Sequence, residues 1–592
     1  IYVDLVGGVA SGVKGGVSSI ENVTGSLVTM NTLYGNDDDN ILVSGVGDDI
    51  MIGRGGNDTY VFDTDGPLGV DIVDESAASG GGGLDTLDFS STQDQIVEAD
   101  LSVTGSPDPL FAIYQTINGN LDLALAGTIE NIIGGDKADI LTGNGEANQI
   151  DGGPGDDELY GGDGSDRYIF SGNWGNDTVS DTSGNETFDF SAIAIDLIFD
   201  LDLINIFVSA GSNSASGLVS EIEDLVAGSG NDRFDFASGA RLNGILDAGP
   251  GNDTLNFAAY GTGRSIVLNG LGSTDGYQGT DSSVPGGFDN VERINGTVGA
   301  DTLTGLSLNS HWTVATPIYT YEVDGSGRAL TFTDFESLVG LSADDVYTIT
   351  ATSVSSPAPR DIDIWAGAGN DALVMLDTAT LTGFFDGQGD YDTIDYIDYT
   401  SARAFSLVDA LGIIDGFNVT EATVSDSFFN IQQILGSSVE IWDAGDALSG
   451  RDTEATFDIV DGVDTYIDVT NNRSLQFNGI EDLHGGTLVD TFNMTADHIG
   501  RLFGHESDDF FNVSNLAVLT GSVDGGAGYD ELNYTNYDTA RAFDLTAVDV
   551  DGFDGTESSL IHKFYNVDWI LGTNDAVNID FLQGLGSDGE WQ

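Results

Sequence analysis

The residues able to do chemistry in this chain are carboxylates set among glycines. Residues 134–169 divide into four consecutive nine-residue phrases, GGDKADILT, GNGEANQID, GGPGDDELY and GGDGSDRYI. Residues 35–61 divide into three more, GNDDDNILV, SGVGDDIMI and GRGGNDTYV. The sixth position holds Asp139, Asn148, Asp157 and Asp166 in the longer block, and Asn40, Asp49 and Asp58 in the shorter. The eighth holds Leu141, Ile150, Leu159 and Tyr168, and Leu42, Met51 and Tyr60. Glycines such as Gly47, Gly56, Gly155 and Gly164 permit turns of positive φ and let carbonyl oxygens approach a small ion closely. A sixth-position carboxylate adds charge, and together these oxygens approach the roughly six to eight hard ligands that calcium takes.

The elements that must position such ligands follow from the spacing. What remains of each phrase after its turn is too short for a helix and suits a short strand with position eight turned inward. No phrase can bury its own face, so the phrases must stack and stabilise one another. The expected fold is all-β: a parallel β-roll or β-solenoid of stacked calcium-binding repeats, interrupted by β-rich spacer units. Solitary nonad-like stretches elsewhere add the candidate ligands Asp85, Asp177, Asp232, Asp253, Asp301, Asp371, Asp392 and Asp530.

These nonads resemble the RTX, or hemolysin-type calcium-binding, repeat family, whose GGxGxDxUx consensus they match closely. The resemblance implies that repeats two apart share an ion, pairing Asp139 with Asp157, Asn148 with Asp166 and Asn40 with Asp58. Asn148 and Asn40 depart from the consensus acid. The whole chain is similar to arrays in very large secreted bacterial proteins, where RTX nonads alternate with longer β-rich spacers.

Beyond residue 225 a longer period of about 138 residues appears, starting at Asn231, Asn370 and Asp508. In each copy an arginine, Arg264, Arg403 or Arg541, is expected to pair with a carboxylate. A second phrase, an apolar residue, usually an acid, then apolar-x-Gly, recurs as "SIENVTGS", "TIENIIGG", "EIEDLVAG", "NVERINGT", "DFESLVGL", "NIQQILGS", "GIEDLHGG" and "NVDWILGT", and predicts an inward strand and a glycine turn. The organisation expected is the end of a truncated composite repeat (1–33), a three-nonad block (34–65), a spacer (66–133), a four-nonad block (134–170), a second spacer (171–224), and three long repeats (225–363, 364–502, 503–592), the last truncated. Beginning with Ile1 and starting and ending within a repeat, the chain is expected to be part of a longer array.

Composition narrows the function. A formal charge of −82 over 592 residues disfavours nucleic acid and anionic membranes and favours hard cations. Asp outnumbers Glu by about four to one, and the shorter acid suits ligand geometry and turns rather than mere solubility. Apolar content of 40% excludes a disordered acidic tail. Cysteine is absent, which rules out disulfides and thiolate sites and fits an exported chain. The most apolar stretch, "FDFSAIAIDLIFDLDLINIFVSA", is broken by Asp196, Asp200 and Asp202 and alternates like strands, so no membrane insertion is expected.

No catalytic signature emerges. HExxH, GxSxG and the phosphate-binding GxxxxGK[ST] are absent. His311, His484, His498, His505 and His562 are scattered and expected at surfaces or turns. Trp174, Trp312, Trp365, Trp442 and Trp569 sit one per segment, as core anchors would rather than as a sugar-stacking platform. Asn22 and Asn418 lie in glycosylation sequons. The function expected is a non-enzymatic, secreted calcium-binding structural or interaction protein that folds and assembles on extracellular calcium, as part of a surface layer, filament, matrix or giant adhesin. Its expected partners are identical chains or neighbouring repeats, with cell-surface polysaccharide as a further class. The alternative is a non-catalytic RTX region of an exported enzyme or toxin.

Overall fold

The structure, a computed structural model, describes residues 1–14, 16–76, 82–315, 317–350, 361–408, 415–439, 441, 444–549, 551–560, 562–574 and 579–585. Among them every regular element is a strand. In the longer tandem block each nonad is a turn followed by a three-residue strand: Ile140–Thr142, Gln149–Asp151, Glu158–Tyr160 and Arg167–Ile169. Strands pair in parallel with the nonad two further on, Leu141 opposite Leu159 and Ile150 opposite Tyr168. One nonad carries the chain to the opposite face and the next returns it one strand spacing along, about 4.8 Å. The shorter block repeats this, with Leu42 opposite Tyr60.

Period two within each strand turns its middle residue inward. Leu42, Met51, Tyr60, Leu141, Ile150, Leu159 and Tyr168 are all fully buried between the two faces. Burial of each such side chain contributes on the order of 1.5–3 kcal/mol. Where apolar content rises, rings replace aliphatics and stack along the axis, as Phe170 does on Phe190 and Phe199 on Phe234, both at 4.4 Å.

By contact density the chain separates into two compact units, Ile1–Gly299 and Ala300–Gln592. In the first, the solenoid is interrupted by an antiparallel meander of Ile198–Leu201, Asn205–Ala210 and Asn213–Leu218. The chain first reaches the far strand of the meander, then steps back. Asn213–Leu218 therefore pairs in parallel with the preceding rung Asn176–Ser180, and Ile198–Leu201 with the following rung Arg233–Phe236. A second meander is Ser265–Leu271, Tyr277–Asp281 and Val284–Val291. The second unit builds the same device from Ser310–Val314 to Thr333, Ala404–Val408 to Ile431, Ala455–Ile459 to Asn478, and Ala542–Val548 to Val567. Within the second unit both ends of such a meander join the parallel stack, Phe428–Ile431 with Phe385–Asp386 and Ala404–Val408 with Ala447–Ser449.

In each long repeat the meander beside the expected arginine is braced by it. Arg264 pairs with Asp281, both buried, and its guanidinium lies 4.2 Å from the Tyr260 ring centre. Arg403 pairs with Glu421 at 3.4 Å over Tyr399, and Arg541 with Glu557 at 3.1 Å over Tyr537.

Three expectations need correction. Trp174 and Trp312 are core anchors, but Trp365 is 37% exposed and Trp569 52% exposed, because each flanks an inward-facing residue on its strand; Trp442 lies outside the described residues. The histidines are not all scattered surface groups. His498 is buried against the Glu481 carbonyl, and His484 Nδ1 meets His505 Nε2 at 3.0 Å because their strands are adjacent rungs. Asn418 is buried in a meander strand, where a glycan could not fit, whereas Asn22 is exposed.

Candidate metal centres

The sixth-position residues form ladders. Each carboxylate among them accepts the backbone N–H of the corresponding residue in the preceding coil, whereas Asn40 and Asn148 accept from Asn36 and Asn144 of their own turns. Asp139 N–H donates to Asp157 Oδ1 at 2.7 Å, Asn148 N–H to Asp166 Oδ1 at 2.7 Å, and Asn40 N–H to Asp58 Oδ1 at 2.7 Å. The structure thus places side by side the residues two nonads apart. Asp49 receives Asn31 at 2.6 Å, Asp85 receives Asp58 at 2.8 Å and Asp177 receives Asp157 at 3.0 Å. The solitary candidates occupy rungs too. Asp232 donates to Asp253 at 2.6 Å, Asp345 to Asp371 at 2.8 Å, Asp371 to Asp392 at 3.0 Å and Asp509 to Asp530 at 2.9 Å, while Asp301 begins a rung by donating to Glu336 at 2.7 Å.

Sequence reasoning missed part of this ladder. Where the next coil has no nonad, the acid of the recurring apolar-acid phrase takes the rung position. Asp85 donates to Glu130 at 2.7 Å, Glu186 to Glu223 at 3.1 Å, Asp253 to Glu292 at 2.7 Å, Asp392 to the Gln432 amide oxygen at 2.8 Å, Asp446 to Glu481 at 2.6 Å and Asp530 to Asp568 at 3.2 Å. The phrase itself was the available signal. Its acid was visible, but its partner lies a whole coil or spacer away.

The turns are shaped around these carboxylates. A Cβ on Gly152 or Gly161 would collide with the carboxylate of Asp157 or Asp166, so position one is glycine for space. At position four, Gly47, Gly56 and Gly164 adopt φ of 109°, 102° and 133°, conformations open to glycine. Gly155 does not; there a side chain would collide with the Lys137 carbonyl of the coil before. Position-four backbone therefore packs directly on position-four backbone.

One oxygen of each rung is satisfied and the other often is not. Asp58, Asp157, Asp166, Asp232, Asp253, Asp371, Asp392 and Asp530 each keep a buried Oδ2 with no hydrogen-bond partner. Asn40 and Asn148 differ, because their amide nitrogens donate to oxygens of the chain, Asn148 to the Glu130 carbonyl at 2.8 Å. Burial pushes the acids up from their usual range: Asp58 and Asp166 to about 6, Asp85 and Asp371 to about 7, and Asp157, Asp177, Asp253 and Asp392 to about 8. Buried carboxylates that each keep one unpartnered oxygen fit a hard divalent cation, which would satisfy those oxygens and offset the desolvation cost of the charge.

A family model described as the RTX calcium-binding nonapeptide repeat matches four copies in this chain, over residues 30–60 and 133–168. The chain carries RTX calcium-binding repeats. No curated protein matches the chain. The two matched RTX stretches coincide with the tandem nonads and their sixth-position ladders, and RTX nonads bind calcium. Among the described residues, two sets of three carboxylates offer oxygens within 4.8 Å of one another, Asp58, Glu75 and Asp85 and Asp166, Asp181 and Glu186, each at the end of an RTX block. Glu75 and Asp181 were not anticipated, because they lie in spacer sequence with no nonad frame; Glu186 was missed because it puts Glu where a nonad carries Asp, between Gly184 and the buried Phe188.

Proposed function

We propose that the chain is a secreted structural or interaction protein that calcium folds, part of an extracellular layer, filament, matrix or giant adhesin. The observation that carries this reading is the recurrence of buried rung carboxylates from Asp49 to Asp530, through RTX blocks and the sequence between them alike. In a calcium-poor cell the aligned carboxylates repel and oppose stacking, which keeps the chain extended for export. Outside, calcium at about 10⁻⁴–10⁻³ M, the range of extracellular modules, neutralises the rungs and the coils close around it. The partners proposed are copies of this chain or neighbouring repeats, with cell-surface polysaccharide as a further class. No described residue lies in a helix long and apolar enough to cross a membrane.

The test is electron microscopy and circular dichroism of the full chain in calcium and in chelator. Filaments or sheets that vanish in chelator, with loss of the β signal, support the proposal. Compact single particles in calcium point instead to an accessory RTX region of an exported enzyme or toxin. A β signal indifferent to chelator overturns folding by calcium.

A further inference from the structure

The last nonad of each tandem block differs from the others in one respect: its inward eighth residue is a tyrosine, Tyr60 or Tyr168, rather than an aliphatic. Both rings are fully buried, and both hydroxyls reach a carboxylate from the following spacer, Tyr60 to Glu75 and Tyr168 to Asp181. The position-one glycine beneath each ring, Gly53 or Gly161, leaves the space this needs; a Cβ there would lie 2.5 Å from the tyrosine oxygen and collide with the sixth-position carboxylate.

Around each tyrosine three buried acids converge. Asp58, Glu75 and Asp85 are 0%, 5% and 1% exposed, and each offers an oxygen within 4.8 Å of the others'. Asp166, Asp181 and Glu186 do the same at the end of the second block. Asp58 Oδ2 and Glu75 Oε2 in the first cluster, and Asp166 Oδ2 and Glu186 Oε1 in the second, are buried without a hydrogen-bond partner. Among the described residues no Lys or Arg pairs with any of the six. Spacers of different length and sequence thus arrive at one arrangement twice. Glu75 and Asp181 lie 17 and 15 residues past their block's last sixth-position acid.

We propose that these two tyrosine-backed, three-carboxylate clusters are a separate class of calcium site, one closing each tandem block and binding more tightly than the nonad turns. A nonad turn supplies one carboxylate per coil and otherwise neutral carbonyls. These clusters supply three carboxylates to one point, and calcium affinity rises with the charge of the ligand set. Buried charge of one sign needs a counter-charge, and a hard cation among oxygens provides it. The choice of calcium rests on the proposed function above.

Calorimetric titration of the chelator-stripped full chain with calcium tests this. The wild type should bind two ions in a tight class, separable by about tenfold or more in Kd from a weaker class. Glu75→Gln and Glu186→Gln, which keep size and an acceptor oxygen, should each remove one ion from the tight class and leave the weaker class in place. Asp139→Asn should do the reverse. Variant titrations that superimpose on the wild type overturn the proposal while leaving the calcium reading intact; a wild type that binds no calcium overturns both. Should the Gln variants fail to fold, Tyr60→Phe with Tyr168→Phe gives a second readout. Tyrosine-excited terbium emission over the first two equivalents should fall sharply, and undiminished emission overturns the proposal.

Discussion

Asp232 stands directly beneath Asp253. Its backbone N–H donates to Asp253 Oδ1 at 2.6 Å, while Asp253 Oδ2 is buried and has no hydrogen-bond partner. One carboxylate thereby does two jobs, holding the preceding coil in register and presenting a charged oxygen inward. Separating those jobs is the aim of most of the tests below.

Asp157→Ala with Asp166→Ala removes both jobs at once. The Asp139 and Asn148 N–H groups lose their acceptors, which costs about 1–3 kcal/mol each where the group stays buried. The calcium midpoint for folding, followed by circular dichroism, should rise. Asp157→Asn with Asp166→Asn keeps the acceptors, so any rise that persists there measures the charge. Unchanged midpoints in both pairs would remove these residues from the metal sites.

Acidity should act on the calcium-free chain in the opposite sense to most acidic proteins. Burial raises Asp157, Asp177, Asp253, Asp392 and Asp509 from 3.8 to about 8 in the folded state. Between those values the folded chain holds more protons than the unfolded one, so stability is present below about pH 4 and is lost as pH rises through about 8. In chelator, the β signal that remains by circular dichroism should therefore weaken from pH 5 to pH 9. In calcium, protons compete for the same oxygens, and the calcium needed for folding should rise as pH falls.

Gly161→Ala places a methyl group against the Asp166 and Asp181 carboxylates, and Gly145→Ala places one in open space at ordinary φ. The first should lower stability by about 1–3 kcal/mol, as overpacking does. The second should be neutral or raise it by under about 1 kcal/mol. Thermal melts in saturating calcium compare them, and equal melts would mean the turn has slack.

Arg264→Ala leaves Asp281 buried without its partner. Breaking a buried pair from one side costs about 3–5 kcal/mol, and denaturant unfolding should show it at high calcium. Asp281→Asn in the same background should recover part of the loss by removing the stranded charge.

Much of the site was legible because a nonad is a local object. Glycine for space, an acid at position six and an apolar residue at position eight are decided within nine residues, and all seven eighth-position side chains are buried. The apolar-acid phrases were legible as a pattern but not as a role. Glu130, Glu292 and Glu481 matter because each meets a residue 35 to 45 positions earlier, Asp85, Asp253 and Asp446. His484 and His505 escaped for the same reason, being neighbours only because their strands are.

The sequence by itself determined the turn, the strand and the period, since these rest on backbone sterics and on the alternation of side chains along a strand. Stacking decided the rest: which acid stands on which, which oxygen is left unpartnered, and where spacer carboxylates join nonad carboxylates around Tyr60 and Tyr168. Those contacts join residues from different coils, and spacers of unequal length bring them to one place. Their geometry exists only once the coils have closed.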